Sequence, residues 1–133
     1  MSVSSTTAGP GDTPCRVLIV EDEALVAMSL SFMVEDLEHE VCGVASSGPQ
    51  AIEQAGQSRP TVALVDVGLK GGMDGIQTAG ALNGLGVPSI ILSGDASDEA
   101  LRRAAQAGVL DYVLKPYSID RLREAFGKVP CHV

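Results

Sequence analysis

From Arg16 onward, short aliphatic runs alternate with longer stretches of mixed polar and apolar positions. Arg16 to Val20, Val41 to Ala45, Val62 to Val65, Ser89 to Leu92 and Leu110 to Leu114 have the length and near-continuous apolar character of strands buried on both faces. The first intervening segment, about Glu23 to Asp36, predicts a helix with Leu25, Met28, Phe32 and Val34 on or near one apolar stripe. Ser47 followed three residues on by Gln50 reads as a capping box, and Pro49 is tolerated in a first turn, so a second helix runs to about Gln57. Arg59-Pro60 ends it. A third helix over about Ile76 to Leu85 is weakened by Gly80 and Gly84, each costing about 1 kcal/mol relative to alanine. Ser97 caps a fourth helix, whose first turn carries Asp98 and Glu99 where the helix dipole favours negative charge, and Gly108 ends it. Ser118 caps a last helix bearing Ile119, Leu122 and Phe126. Strands alternating with helices through short loops predict an α/β fold: a doubly wound five-stranded parallel sheet with helices on both faces and right-handed crossovers.

The chain has 133 residues, the size of one domain, so any function sits in a single unit. With 45% hydrophobic but only 3% aromatic residues, the core is expected to be aliphatic. A formal net charge of −8 with nine Lys and Arg argues against a nucleic-acid partner, because no basic cluster stands ready to neutralise phosphates. Residues 1–14, rich in Ser, Thr, Gly and Pro, lack the basic start and apolar run of a signal peptide and read as a disordered leader. The domain proper is expected over 15–129, with a tail over 130–133. No apolar run approaches the roughly 20 residues that cross a bilayer. Cys15, Cys42 and Cys131 show no metal or redox spacing and suit free thiols in a reducing cytoplasm. His39, before the second strand, and His132, in the tail, stand apart from any expected site, and Met28, Met33 and Met73 read as packing residues.

The chemistry gathers at strand ends. The first strand stops at Glu21-Asp22, the third at Asp66, the fourth at Ser93, and the fifth delivers Lys115-Pro116. Sites in doubly wound sheets lie beyond the C-terminal strand ends, where the direction of winding reverses. Three carboxylates and one ammonium meeting there need a cation and invite an anion. The glycine-rich connection Gly68 to Gly75 lacks the Gly-Lys-Ser/Thr ending of a nucleotide-binding phosphate loop and reads as a surface loop.

An acidic pair after the first strand, a lone aspartate after the third, a hydroxyl after the fourth and Tyr-x-x-Lys-Pro at the fifth together resemble the receiver domain of two-component response regulators, over about Arg16 to Val129. The resemblance implies the flavodoxin-like strand order 2-1-3-4-5, with strands one and three side by side. It implies Asp66 as phosphoacceptor, Glu21 and Asp22 as the acidic pocket, Ser93 as the hydroxyl position, Tyr112 as the switch aromatic, Lys115 as the family's lysine, and a cis Lys115-Pro116 bond. On that reading Asp66 attacks phosphorus as a carboxylate nucleophile. Like charge opposes the attack, so a divalent cation is required. Mg²⁺ suits an all-oxygen site, with Asp22, Asp66 and the backbone carbonyl of Gly68 as direct ligands and Glu21 reaching it through water. Ser93 and Lys115 then hold the phosphoryl oxygens, and Ser93 and Tyr112 form a switch in which the tyrosine rotates from exposed to buried.

The chain departs from the family pattern in places. Glu21-Asp22 stands where many relatives have two aspartates, Lys70 or Gly71 where many have proline, and the nine positions from Asp66 to Gly75 are one more than the commonest spacing. Gly68 offers no side chain to guide an attacking water, while Asp95 could contact water or a partner. No output domain is seen after Phe126, so the reading is a stand-alone receiver. It takes its phosphoryl group from a sensor histidine kinase or histidine phosphotransfer protein and signals to a downstream protein target, with no nucleic-acid contact and no membrane insertion. It is not a conventional enzyme, although it would catalyse its own Mg²⁺-dependent phosphorylation and dephosphorylation. Two other classes compete. One is a phosphorylation-independent receiver-like binding module. The other is a magnesium-dependent phosphohydrolase, disfavoured by the lack of Asp-x-Asp after the first strand.

Overall fold

The computed structural model describes residues 14–69 and 72–130. The leader up to residue 13, Lys70 and Gly71, and the tail from residue 131 lie outside the described residues. Five strands, β1 (Arg16–Val20), β2 (Glu40–Ala45), β3 (Val62–Asp66), β4 (Ser89–Ser93) and β5 (Asp111–Leu114), alternate with five helices, α1 (Ala24–Asp36), α2 (Gly48–Ser58), α3 (Gly75–Gly84), α4 (Asp98–Ala107) and α5 (Ile119–Phe126). The strands form one parallel sheet in the order β2-β1-β3-β4-β5, as the resemblance implied. Successive side chains of a strand point to opposite faces, which explains the unbroken apolar runs. Val17, Ile19, Val62, Leu64, Ile90, Leu92 and Val113 pack against α1 and α5. Leu18, Val20, Ala63, Val65 and Ile91 pack against α2 and α3.

Of the four residues expected on the apolar face of α1, only Val34 lies on the buried side. Leu25, Met28 and Phe32 are 79%, 52% and 60% exposed, whereas Ala27, Leu30 and Val34 are buried against the sheet. Both sets follow i, i+3, i+7 spacing. Two positions along a helix are about 200° apart around its axis, so Leu25 and Ala27 head stripes on opposite sides. Hydrophobic periodicity alone could not choose between them, and Ala27 lets the helix axis approach the sheet more closely than Leu25 could. Met28 is therefore a surface residue rather than a packing one.

Capping follows the sequence with one shift. Ser47 Oγ accepts the Gln50 N–H at 3.2 Å, but the Gln50 side chain reaches back to the N–H of Ser46 rather than Ser47, so the predicted box is only half formed. A complete box occurs instead at α3, where Asp74 and Gln77 exchange bonds of 2.8 and 2.9 Å. Ser97 and Ser118 cap α4 and α5, and Gly108 closes α4 at φ 77°. At the other end of the sheet, His39 Nδ1 accepts the Cys15 N–H at 2.9 Å and its ring lies 4.7 Å from that of Phe126, a packing position remote from the strand ends described below. Cys15 and Cys42 are free thiols, and burial pushes the pKa of each up.

Candidate functional site

β1 is followed by a connection leading to β2 on one side and lies beside β3 on the other, so the winding reverses between β1 and β3. Parallel register then sets what meets at their C-terminal ends. Val20 pairs with Val65, which leaves Glu21 and Asp22 beyond β1 and Asp66 at the tip of β3. Asp66 pairs with Leu92, and Ser93 with Leu114, which puts Ser93 and Lys115 at the same edge. All five predicted strand-end residues therefore share one rim, which no single stretch of sequence contains.

Asp66 is buried to 9% exposure. Its Oδ2 accepts from Lys115 Nζ at 2.6 Å, and its Oδ1 accepts the Gly68 N–H at 2.7 Å. Burial by itself would disfavour its charge. The lysine and the Gly68 amide, with the neighbouring Glu21, outweigh burial and hold its carboxyl below the usual range. Glu21 behaves oppositely: burial to 4% exposure, opposed by the Glu23 N–H at 2.9 Å on Oε2 but reinforced by Asp66 and Asp22, pushes its pKa up to about 7. Its Oε1 is buried without a partner. Asp22 is half-buried beside it. Two neighbouring carboxyls with pKa values driven apart, Asp66 favouring its charged form and Glu21 its neutral one, mark the rim as a candidate functional site.

The floor of this rim depends on Gly75. A Cβ built there would fall 2.5 Å from the Asp66 carbonyl oxygen and 2.6 Å from Val67 Cα. The first turn of α3 thus packs directly on the backbone that carries Asp66, and only glycine permits that approach. On the β4 side, Ser93 is buried and its Oγ accepts the Asp95 N–H at 2.9 Å. Tyr112 is half-buried, and its hydroxyl donates to the Asp95 carbonyl oxygen at 2.6 Å. The Lys115-Pro116 bond is cis, as the resemblance implied.

The chain matches the family model of the response regulator receiver domain over residues 17–127. It belongs to that family. Receiver domains of this kind serve two-component signal transduction. Among curated relatives, the chain is 35% identical to the transcriptional regulatory protein PdtaR of Mycobacterium tuberculosis, over 88% of its own length and 57% of that protein's. It is 29% identical to the chemotaxis protein CheY of Thermotoga maritima, covering 86% of this chain and 96% of that one. The chain thus spans little more than half of the first relative and nearly all of the second. Among solved structures it is similar to the signal receiver domain of a modulated diguanylate cyclase from Desulfovibrio desulfuricans, with a TM-score of 0.79 at 35% identity over 87% of this chain and 93% of that one. The receiver fold also matches Vibrio cholerae CheY4 at a TM-score of 0.78 and 23% identity, over 88% and 99% of the two chains.

Among the described residues no three His, Cys, Asp or Glu side chains are gathered so as to hold a metal ion alone. The oxygens of Glu21, Asp22 and Asp66 are hard donors, and a buried, partnerless Glu21 Oε1 beside Asp66 fits a cation that keeps part of its water shell. Two neighbours of the receiver rim escaped the sequence reading. Gly75 looked like one more loop glycine. Tyr117 was not singled out; it is half-buried, and burial, followed by the charges of Asp66 and Glu21, raises its phenol pKa, so it borders the acidic rim. Asp95 lies exposed on the surface: its amide donates to Ser93 Oγ, its carbonyl accepts from the Tyr112 hydroxyl and its Oδ1 accepts the Ser97 N–H, which leaves its side chain open to water. No helix among the described residues is long and apolar enough to cross a membrane.

Proposed function

We propose that this receiver accepts a phosphoryl group on Asp66 from the phosphohistidine of a sensor histidine kinase or histidine phosphotransfer protein and thereby switches a partner-binding surface. The observation that carries this reading is the Asp66 carboxylate, buried at a strand tip with one oxygen on Lys115 at 2.6 Å and the other on the Gly68 amide at 2.7 Å. A carboxylate oxygen of Asp66 attacks phosphorus, an acyl phosphate bond forms, and the P–N bond breaks with its electron pair leaving on the imidazole, which takes up a proton. Asp22, Asp66 and the Gly68 carbonyl, with Glu21 through water, would hold Mg²⁺, which neutralises the phosphoryl charge when bound. Lys115 supplies a fixed positive charge, and Ser93 Oγ–H can donate to a phosphoryl oxygen.

The donor's docking face is supported by α1. Its exposed stripe of Leu25, Met28 and Phe32 starts at the acidic rim and is bounded by Glu23 at one end and Glu35 and Asp36 at the other. An apolar strip with an acidic border suits a partner helix with a basic border, in keeping with the chain's charge of −8. The protein acts in the cytoplasm, and its downstream target is a protein.

Intact-mass measurement after incubation with acetyl phosphate and Mg²⁺ should show one labile phosphoryl adduct, absent in Asp66→Asn. Stoichiometric labelling of that variant, or none of the wild type even with its cognate kinase, would refute the reading and leave a phosphorylation-independent binding module in its place. Phe32→Ser should slow transfer from the kinase while leaving acetyl phosphate labelling at its wild-type level.

A further inference from the structure

The first turn of α3, which lies against the backbone of Asp66 at Gly75, is itself held from two sides. Toward α2 the hold is steric fit: a Cβ built at Gly48 would fall 2.5 Å from Met73 Sδ and 2.5 Å from Thr78 Oγ1, so both side chains occupy a notch that the glycine leaves. Toward α4 the hold is charge. Arg103 Nη2 donates to Asp74 Oδ2 at 2.8 Å, while Asp74 Oδ1 accepts the Gln77 N–H at 2.8 Å as the cap of α3, and the Asp74 carbonyl accepts from Thr78 Oγ1 at 2.8 Å. Asp74 thus gives one carboxylate oxygen to its own helix and the other to α4. The next residue, Gly75, packs on the Asp66 carbonyl oxygen and Val67 Cα, and its N–H donates to the Val67 carbonyl at 3.4 Å. From Arg103 to the main chain of Asp66 the path is one ion pair and one peptide.

We propose that Arg103 is a positioning residue for Asp66: its grip on Asp74 keeps the first turn of α3 seated on the backbone that carries the acceptor. This inference rests on the phosphoacceptor reading of Asp66, and it runs through neither Ser93 nor Tyr112. Of the two holds, the one on α4 is the adjustable one. Packing at Gly48 does not respond to ions, whereas the side chains of Arg103 and Asp74 are 44% and 36% exposed, so salt weakens their attraction. Arg103 meets the carboxylate through one nitrogen rather than with the two-pronged geometry of a guanidinium, so the contact needs charge at that point and not the fork. Lys should serve and Met should not. Without the pair, the start of α3 is free of α4, and Asp66 spends less time in the arrangement from which its oxygen attacks.

The test compares wild type, Arg103→Met, Arg103→Lys, Asp74→Asn and the double variant carrying Arg103→Met with Asp74→Asn. Two quantities are read: the rate of Asp66 labelling by acetyl phosphate at saturating Mg²⁺, and the amide resonances of Val67 and Gly75 in the metal-free protein. Arg103→Met should label roughly two- to threefold more slowly, within the range an exposed ion pair commands, and should shift both amides. Arg103→Lys should restore both. Asn still caps α3, so Asp74→Asn should slow labelling through the lost pair alone, and the double variant should be no slower than Arg103→Met. Raising monovalent salt should narrow the gap between wild type and Arg103→Met, which a general loss of stability in the variant would not do. A wild-type rate with unmoved amides in Arg103→Met, failure of Arg103→Lys to restore them, or additive losses in the double variant would overturn the inference while leaving Asp66 as acceptor. A wild type that takes no label would instead remove the phosphoacceptor reading and this inference with it.

Discussion

Among single residues, the site depends as much on a missing side chain as on charged ones. Asp66 can be bonded by Lys115 and Gly68 only while its backbone keeps its present path, and the first turn of α3 lies against that path at Gly75. Gly75→Ala should therefore cost about 1–3 kcal/mol by overpacking against main chain that cannot yield, and should also lower labelling of Asp66. Gly56 offers the contrast. It sits inside α2 with nothing within 4 Å of the Cβ position, so Gly56→Ala should raise stability by about 0.5–1 kcal/mol through the unfolded chain's lost freedom. Urea unfolding of both variants checks the pair, and equal destabilisation would contradict the packing argument. Asp22, Asp66, Ser93, Lys115 and Tyr112 were legible in the sequence because each ends or lies on a recognisable strand. Gly75 was not, since its neighbour across the gap is main chain brought there by the fold.

Within elements, α1 separates burial from hydrophobicity. Leu30 and Phe32 are both large and apolar, yet Leu30 is 1% exposed and Phe32 60%. Leu30→Ala should cost about 2–4 kcal/mol, whereas Phe32→Ala and Leu25→Ala should stay within about 0.5 kcal/mol of wild type. If Phe32→Ala matched Leu30→Ala in a chemical denaturation series, the assignment of the buried face would be wrong. A helix apolar on two sides has one side for its own sheet, and the other is free to meet a partner.

For the whole molecule, the last helix is tied to the sheet by charge as well as by Leu122 and Phe126. Arg121 grips Asp111 through both oxygens at 2.8 and 3.0 Å, and Lys128 adds a contact at 3.0 Å. Above all the Arg121 bond, opposed by burial and helped by Lys128, lowers the Asp111 pKa to about 2. A depressed folded-state value means stability that is present above the ordinary carboxylate pKa and is lost as pH falls. Asp111→Asn should cost on the order of 2 kcal/mol at pH 7, with the difference from wild type shrinking between about pH 4 and pH 2. A difference that stayed constant across that range would show that the carboxylate's charge contributes nothing.

What the amino-acid order determined by itself was local and periodic: five apolar runs of strand length, Ser and Gly at helix ends, and acids, hydroxyl and lysine placed just past those runs. These depend on neighbours a few residues apart, whose physics is the same in any fold. Strand order 2-1-3-4-5 entered through family resemblance rather than through spacing, because nothing local says which run lies beside which. The tertiary structure alone decided which of two equivalent stripes of α1 faces inward, that Gly75 must be glycine, that Tyr117 borders the acidic rim, and that Asp95 stands between Ser93 and Tyr112. Each is a contact between segments remote in the chain or a choice set by the space another element leaves, and such terms exist only once the sheet has assembled.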